Sequence, residues 1–409
     1  MSKISLKPNR EKSLFYRHPW IFSGALNLSP KEKIEDGEVV DIIDSHGNFL
    51  ARGYYNSQSD IAVRILTFED EVIDEDFFVK RLERAQAFRQ PYLEGKQTNS
   101  YRLVFAESDG LPGLIVDRYN DGFVVQIHTL GMEKLKTLVV KALVKIFQPA
   151  FIYERSDVEV RRKEGLTTMP KGILFGDLSK ISEKKLNNKN AAFLEIEEYG
   201  LKFLVDVVSG QKTGFFLDQR ENRLALRSYV KGKRVLNLFC YSGGFSCHAL
   251  AGGAAKVTSV DISEEAIALC KDNVELNGFE KERHEAVVAD CFDYLESLRH
   301  RGEKFDVVVV DPPAFVKSRA SIDNALKAYV RLNVAALHVL KPDGVLMSSS
   351  CSSYVTPEMF RGMLFQSALR AKTGLAIVEQ RGQPFDHAMN VYFPEGEYLK
   401  FVVAQKRSF

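Results

Sequence analysis

Residues 235–261 read V-L-N-L-F-C-Y-S-G-G-F-S-C-H-A-L-A-G-G-A-A-K-V-T-S-V-D. An apolar strand (Arg234–Phe239) enters a loop that holds Ser242, Gly243 and Gly244. A helix-compatible run (Phe245–Ala251) follows, and a second strand (Lys256–Val260) stops on a carboxylate, Asp261. In a doubly wound α/β sheet this order builds a nucleoside site. The glycines let backbone approach a ligand, and the acid can accept from both ribose hydroxyls. The dinucleotide pattern needs a third glycine for helix packing, but C-Y-S-G-G-F carries a bulky residue at that position. The P-loop pattern G-x-x-x-x-G-K-[ST] does not occur. S-adenosylmethionine, which has ribose and adenine but no phosphate, suits the segment. Taken alone, the segment also leaves room for a nucleotide or for no ligand.

Outward from this segment the chain alternates strands with helices from about residue 191 to its end, as a parallel, doubly wound sheet would. Val307–Val310 and Val345–Ser350 read as buried central strands. Ligands of such sheets lie outside the carboxyl ends of the strands. Strand one ends at the 240–244 loop, strand two at Asp261, strand three (Glu285–Ala289) at Asp290, strand four at Asp311 and strand five at Cys351. Each acid could be a turn former or helix cap. Three acids and a thiol along one edge point to a site. Asp290 falls on the adenine side and Asp311 on the side of the acceptor.

Asp311 begins D-P-P-A-F. Pro312 and Pro313 end the strand and stiffen the backbone, and Phe315 can stack on a planar ring. This suits a pocket for an aromatic base turned out of its strand. Cys351, inside S-S-S-C-S-S, fits one chemistry there. The C5 atom of cytosine is a poor nucleophile. A thiolate added at C6 turns the ring into an enamine that can take a methyl group at C5, after which a base removes the C5 proton and the thiolate leaves. Cys247 and Cys270 fall on helices and read as core, as does Cys291, while Cys240 reads as lining the cofactor loop. A further block, V-S-G-Q-K-T-G-F-F-L-D-Q-R-E-N-R (208–223), leads a strand into a polar helix. Its Asp218, Gln219 and Arg220 could grip the aminocarboxylate of the donor.

Hydrophobic residues at 45% and charged residues at 27% describe an ordinary globular protein. With no apolar run of transmembrane length and no hydrophobic signal core, a cytoplasmic location and no membrane partner are expected. Five cysteines without a C-x-x-C pair indicate neither a disulfide framework nor a metal site. The net charge of +2 hides basic clusters. One comprises Lys3, Lys7, Arg10, Lys12 and Arg17, and the other Arg161, Arg162 and Lys163. Both could contact phosphates or simply be solvated faces. Residues 1–72 read as a small β domain with strands Val39–Ile43, Phe49–Tyr55 and Ile61–Thr67, and with Trp20 as its anchor. Residues 73–190 read as a middle domain with helices Glu75–Glu94 and Met132–Phe147. Its strands lie near Arg102–Phe105, Leu114–Tyr119, Phe123–Thr129 and Phe151–Glu154, and the polar stretch Ser179–Asn190 reads as a linker.

Across nearly its whole length the chain resembles the large-subunit ribosomal RNA cytosine-C5 methyltransferase family called methyltransferase I. The resemblance rests on R-H-P-W-I-F (17–22), D-G-L-P-G-L-I-V-D-R-Y (109–119), Y-E-R-S-D (153–157), G-Q-K-T-G-F-F-L-D-Q-R, L-F-C-Y-S-G-G-F-S, D-P-P-A-F, the serine-flanked Cys351 and P-E-G-E-Y-L-K (394–400). It implies an N-terminal, barrel-like PUA domain that binds RNA (1–72), a central α/β domain (73–190) and a Rossmann-like class I methyltransferase domain (191–409). S-adenosylmethionine would be the donor, with no metal, and Cys351 the nucleophile. The expected donor site comprises Phe216, Asp218, Gln219, Arg220, Asn237, Tyr241, Ser242, Gly243, Asp261, Ile262, Asp290 and Asp311. The expected base site comprises Pro312, Pro313, Phe315 and Lys317, with Asp311 also catalytic. Some cytosine methylases carry a second cysteine directly after the prolines. Ala314 stands there, so a carboxylate or water must assist product release. The expected partner is large-subunit ribosomal RNA or an assembly intermediate, with a homodimer allowed. Two other readings are a guanine-N7 ribosomal RNA methyltransferase, which needs no thiol, and a non-catalytic RNA-binding assembly factor.

Overall fold

The apolar runs of the C-terminal half form one seven-stranded sheet. Its strands are β1 (Arg234–Leu238), β2 (Lys256–Asp261), β3 (His284–Val288), β4 (Phe305–Val310), β5 (Leu340–Ser350), β6 (Gly374–Arg381) and β7 (Lys400–Arg407). They lie in the order β3-β2-β1-β4-β5-β7-β6. The order reverses between β1 and β4, which leaves a crevice at the carboxyl ends of those strands. Helices α1 (Gly244–Ala251), α2 (Glu264–Leu276), α3 (Cys291–His300), α4 (Ile322–Val339) and α5 (Pro357–Arg370) connect them. All four valines from Val307 to Val310 are fully buried, as expected for a strand covered on both faces. The parallel reading holds for β1 to β5. β7 instead runs antiparallel to both β5 and β6. The expected end of strand five also shifts: β5 stops at Ser350, and Cys351 is the first residue beyond it.

The chain, a computed structural model describing residues 1–28, 33–178, 193–316 and 319–408, packs as two units. The second unit holds this sheet and comprises Glu198–Leu204, Asp218–Pro384 and Glu397–Phe409. The first comprises Met1–Glu197, Val205–Leu217 and Phe385–Gly396. The first unit contains a six-stranded, barrel-like sheet built from residues 2–67 and a five-stranded sheet built from residues 100–176. Helices Glu75–Leu93 and Leu130–Phe147 belong to the second of these sheets. The strand expected to reach Thr129 stops at Ile127, and the following helix begins at Leu130 rather than Met132. Thr129 is the residue before that helix, and its hydroxyl bonds to Tyr54 Oη at 2.8 Å instead of capping it. The linker expected at Ser179–Asn190 lies outside the described residues.

In the second unit a buried ion network braces the glycine loop. Arg223 Nε and Nη2 donate to the two oxygens of Glu198 at 2.7 and 2.6 Å, and His248 Nε2 lies 3.1 Å from Glu198 Oε1. Arg227 Nε donates to His248 Nδ1 at 3.2 Å, so the ring is neutral with its proton on Nε2. Burial pushes the His248 pKa down to about 4. Burial would raise the Glu198 carboxyl, but Arg223 and His248 outweigh it and bring it down to about 2. As pH falls from the ordinary histidine value of 6.5, the unfolded chain takes up a proton that folded His248 refuses. The stabilisation is therefore complete above pH about 6.5 and is lost progressively toward 4. Denaturant titrations should show that the drop in stability between pH 7 and 5 is smaller in His248→Gln than in the parent by about 2 kcal/mol. Equal drops would contradict the neutral, buried assignment.

Candidate methyl-transfer site

The loop after β1 is shaped by backbone geometry. Phe239, Tyr241 and Gly243 take positive φ values of 57°, 45° and 81°. Protein atoms crowd both glycines of this loop. A Cβ at Gly243 would lie 2.5 Å from Cys270 Sγ, and one at Gly244 would lie 2.8 Å from Arg223 Cδ. Both positions are small because protein packs against them. Asn273 Nδ2 holds Ser242 O at 2.8 Å from α2, which fixes the loop on its far side.

Asp261 ends β2 half-buried, its two oxygens accepting from Tyr241 N at 2.9 Å and Ser263 N at 3.0 Å. A carboxylate has about four lone-pair positions, so each oxygen keeps capacity for a ribose hydroxyl. Asp290 is exposed and lies two residues past β3. It caps α3, with Oδ1 accepting from Phe292 N and Asp293 N. The capping reading of that acid is thus realised, alongside its position on the shared edge. Ile262 follows Asp261 with 70% of its surface exposed. Asn237 sits inside β1, where its amide donates to Ser246 Oγ at 2.8 Å. Its Oδ1 is buried and makes no hydrogen bond. An orphaned acceptor beside the loop, two acids at adjacent strand ends and an exposed apolar side chain between them suit the polar ribose and flat adenine of S-adenosylmethionine.

Asp311 follows β4, and its Oδ1 accepts from Gln219 Nε2 at 2.8 Å and from Ser349 Oγ. Asn222 Nδ2 in turn holds Gln219 Oε1 at 2.7 Å. Asp218 is buried and accepts from Tyr398 Oη at 2.8 Å. Arg220 is fully buried. Phe216 falls in the first unit, where Lys212 Nζ lies 4.4 Å from its ring centre. Pro312 is buried, while Pro313 and Ala314 are exposed. Phe315 is half-buried, its ring centre 4.7 Å from that of Tyr329. Lys317 lies outside the described residues.

Four of the five cysteines are buried, and Cys351 is the partly exposed one. Cys291 Sγ accepts from Phe239 N at 3.4 Å, and Cys240 is 6% exposed. Burial raises the Tyr329 phenol to about 12, with Cys351 and Asp311 both adding to the rise; the phenol therefore senses the thiol and the acid together. Sequence reasoning gave no role to Ser349, Asn222, Tyr329, Tyr398 or Lys400. The last two lie in P-E-G-E-Y-L-K, whose spacing carries no familiar chemical pattern. Among the described residues no His/Cys/Asp/Glu cluster could hold a metal ion, and no helix is long and apolar enough to cross a membrane.

The strand order, glycine loop and acid-lined edge are those of an S-adenosylmethionine-dependent methyltransferase, and the model of that family matches residues 182–391. A PUA-like domain model matches residues 4–68. Proteins named ribosomal RNA large subunit methyltransferase I are similar over full length. That of Klebsiella pneumoniae (strain 342) is 44% identical, covering 97% of this chain and 96% of its own. That of Photobacterium profundum is 44% identical, covering 98% of each. The chain belongs to the ribosomal RNA large subunit methyltransferase I family. A methyltransferase crystallised with SAH superposes with a TM-score of 0.82 at 25% identity, over 99% of this chain and 100% of that one. A candidate SAM-dependent methyltransferase from Streptococcus mutans gives 0.81 at 25% identity with the same coverage. S-adenosylmethionine is the cofactor of this family.

Gly243→Ala tests the loop. The added methyl meets Cys270 and must adopt positive φ, so stability should fall by about 2 kcal/mol or more and calorimetric affinity for S-adenosylmethionine should weaken. Unchanged melting and affinity would contradict the packing argument.

Proposed function

We propose that the chain methylates C5 of a cytosine in large-subunit ribosomal RNA through a covalent bond between Cys351 Sγ and C6 of the base. The observation that carries this reading is the partly exposed Cys351 just past β5, whose neighbour Ser349 donates to Asp311. S-adenosylmethionine supplies an electrophilic methyl group when bound. Asp261, Asn237, Ile262 and Asp290 would hold its nucleoside. Asp218, Gln219 and Arg220 would hold the aminocarboxylate, and Tyr241 would complete the donor site.

Cys351 adds to C6 as thiolate and makes C5 nucleophilic. It leaves again once C5 carries the methyl group and has lost its proton. Asp311, its Oδ1 fixed by Gln219 and Ser349, presents an acceptor to the N4 amino group of cytosine. Uracil offers a carbonyl oxygen at the same place, so the carboxylate selects cytosine. Pro312, Pro313 and Phe315 would border the base. With alanine at 314, Asp311 or a water takes the C5 proton.

Cys351→Ala should abolish methylation, while calorimetry finds S-adenosylmethionine affinity within twofold of the parent. Near-normal turnover would sink the cytosine reading and favour guanine N7, whose ring nitrogen needs no thiol. Loss of donor binding in the parent itself would favour the non-catalytic assembly factor.

The first unit offers a surface suited to RNA. An open groove of about 750 Å³ is lined by Lys12, Phe15, Tyr16, Arg17, Phe22 and Tyr392. Phe15, Tyr16 and Phe22 are 73%, 63% and 53% exposed. Trp20 is fixed beside them by a 2.9 Å bond from Nε1 to Glu107 and an edge contact with Phe393. Exposed rings stack unpaired bases, and the cations attract phosphate. Anisotropy with single-stranded ribosomal RNA fragments should show Tyr16→Ala/Phe22→Ala binding at least about thirtyfold more weakly, since each of the two stacked bases contributes about 1–3 kcal/mol. The salt dependence should stay unchanged, because no phosphate contact is removed. Unaltered affinity would place the RNA elsewhere.

A further inference from the structure

Lys400 is the first residue of β7, in the antiparallel β5–β7 pair. It stands directly opposite Ser350 in the β5–β7 register, and Cys351 is the next residue beyond Ser350. The side chain is only 5% exposed. Its Nζ donates to Ser352 O, just past the cysteine, and to Tyr398 O at 2.7 Å. Tyr398 also donates to Asp218. The ammonium therefore ties the turn that carries Cys351 to the segment that reaches the expected donor site. Every ion pair a buried lysine would ordinarily make is missing here: among the described residues no carboxylate lies within ion-pair distance of Lys400. A buried cation held only by carbonyls is costly. The ionisable groups that act on it are Cys351, the first residue beyond β5, and Glu397, ahead of β7. Arg361 on α5, Arg381 on β6 and Glu397 border the same small cavity of about 270 Å³, and each arginine is already paired, Arg361 with Glu358 and Arg381 with Glu379.

We propose that Lys400 is a positioning residue that holds the Cys351 turn in place and stabilises the Cys351 thiolate, preparing the nucleophile for addition to the base. This rests on the reading of Cys351 as nucleophile and adds the group that would activate it. Lys400 itself forms no bond to substrate and transfers no proton. Its role is the fixed charge beside the sulfur, which favours the ionised thiol. Burial lowers the Lys400 pKa to about 8, and Cys351 opposes that fall. The ammonium form therefore predominates at neutral pH and is lost above about 8.

The test reads the thiol directly. The full-length protein is alkylated with iodoacetamide across pH 6 to 10, and modification of the Cys351 peptide is followed by mass spectrometry; the four buried cysteines serve as internal controls. Lys400→Met should move the midpoint of Cys351 modification up by about one pH unit or more and slow its alkylation near neutrality about tenfold. Lys400→Arg, which keeps the charge, should leave the midpoint near that of the parent. An unchanged midpoint in Lys400→Met would overturn the proposal, as would equal shifts in both variants. Melting curves accompany each variant, and a destabilised Lys400→Met is replaced by Lys400→Gln. No RNA or methyl transfer enters the measurement. If Cys351→Ala retained activity, the nucleophile reading would fail while the effect of Lys400 on the thiol could still be read.

Discussion

One oxygen of Asp311 ties together the parts on which the site depends. Gln219, just ahead of the helix Arg220–Leu226, and Ser349, near the end of β5, both donate to it. Asp311 sits where β4 ends at the point of strand-order reversal, and Pro312 and Pro313 keep it there. If that carboxylate moved, the donor block, the proline turn and the cysteine turn would lose their common reference. A charge-assisted hydrogen bond is roughly twice as strong as a neutral one, which suits a group that holds three segments together.

A second layer supports this centre from behind. The glycine loop is held by packing, with Cys270 against Gly243 and Arg223 against Gly244. Arg223 is itself held by Glu198, which also meets His248 on α1. The loop therefore has a fixed shape set by buried side chains packed behind it. This separates two demands that the sequence merges. Small residues serve the interior, and the acids stand at the strand ends, where Asp261 accepts from the loop's own Tyr241 N.

Much of the second unit was legible because its physics is periodic. The run Val307–Val310 can only be a covered strand. Ser263 with two acids after it can only begin a helix, and Ser263 Oγ does cap α2 from Ala266 N. Acids and a thiol at successive strand ends fall on one edge because parallel strands all point the same way. What was not legible depends on contacts distant in sequence. β7 runs antiparallel and brings Tyr398 and Lys400 to the site from the far end of the chain. No local pattern announces that Asp218 bonds to a residue 180 positions on. The packing of Gly243 was hidden for the same reason, since Cys270 becomes its neighbour only when α2 folds back. Lys317 was placed at the base site from the resemblance alone and falls outside the described residues.

The central claim is a covalent bond between Cys351 and cytosine C6. The most direct measurement incubates the full-length protein with S-adenosylmethionine and ribosomal RNA in which cytosine carries fluorine at C5. The fluorine cannot leave as a proton would, so the adduct cannot resolve. The account predicts a denaturation-resistant protein–RNA complex whose mass places the nucleotide on the peptide containing Cys351, and none from Cys351→Ala. Full methylation of unmodified RNA with no trapped complex on the fluorinated RNA would contradict it.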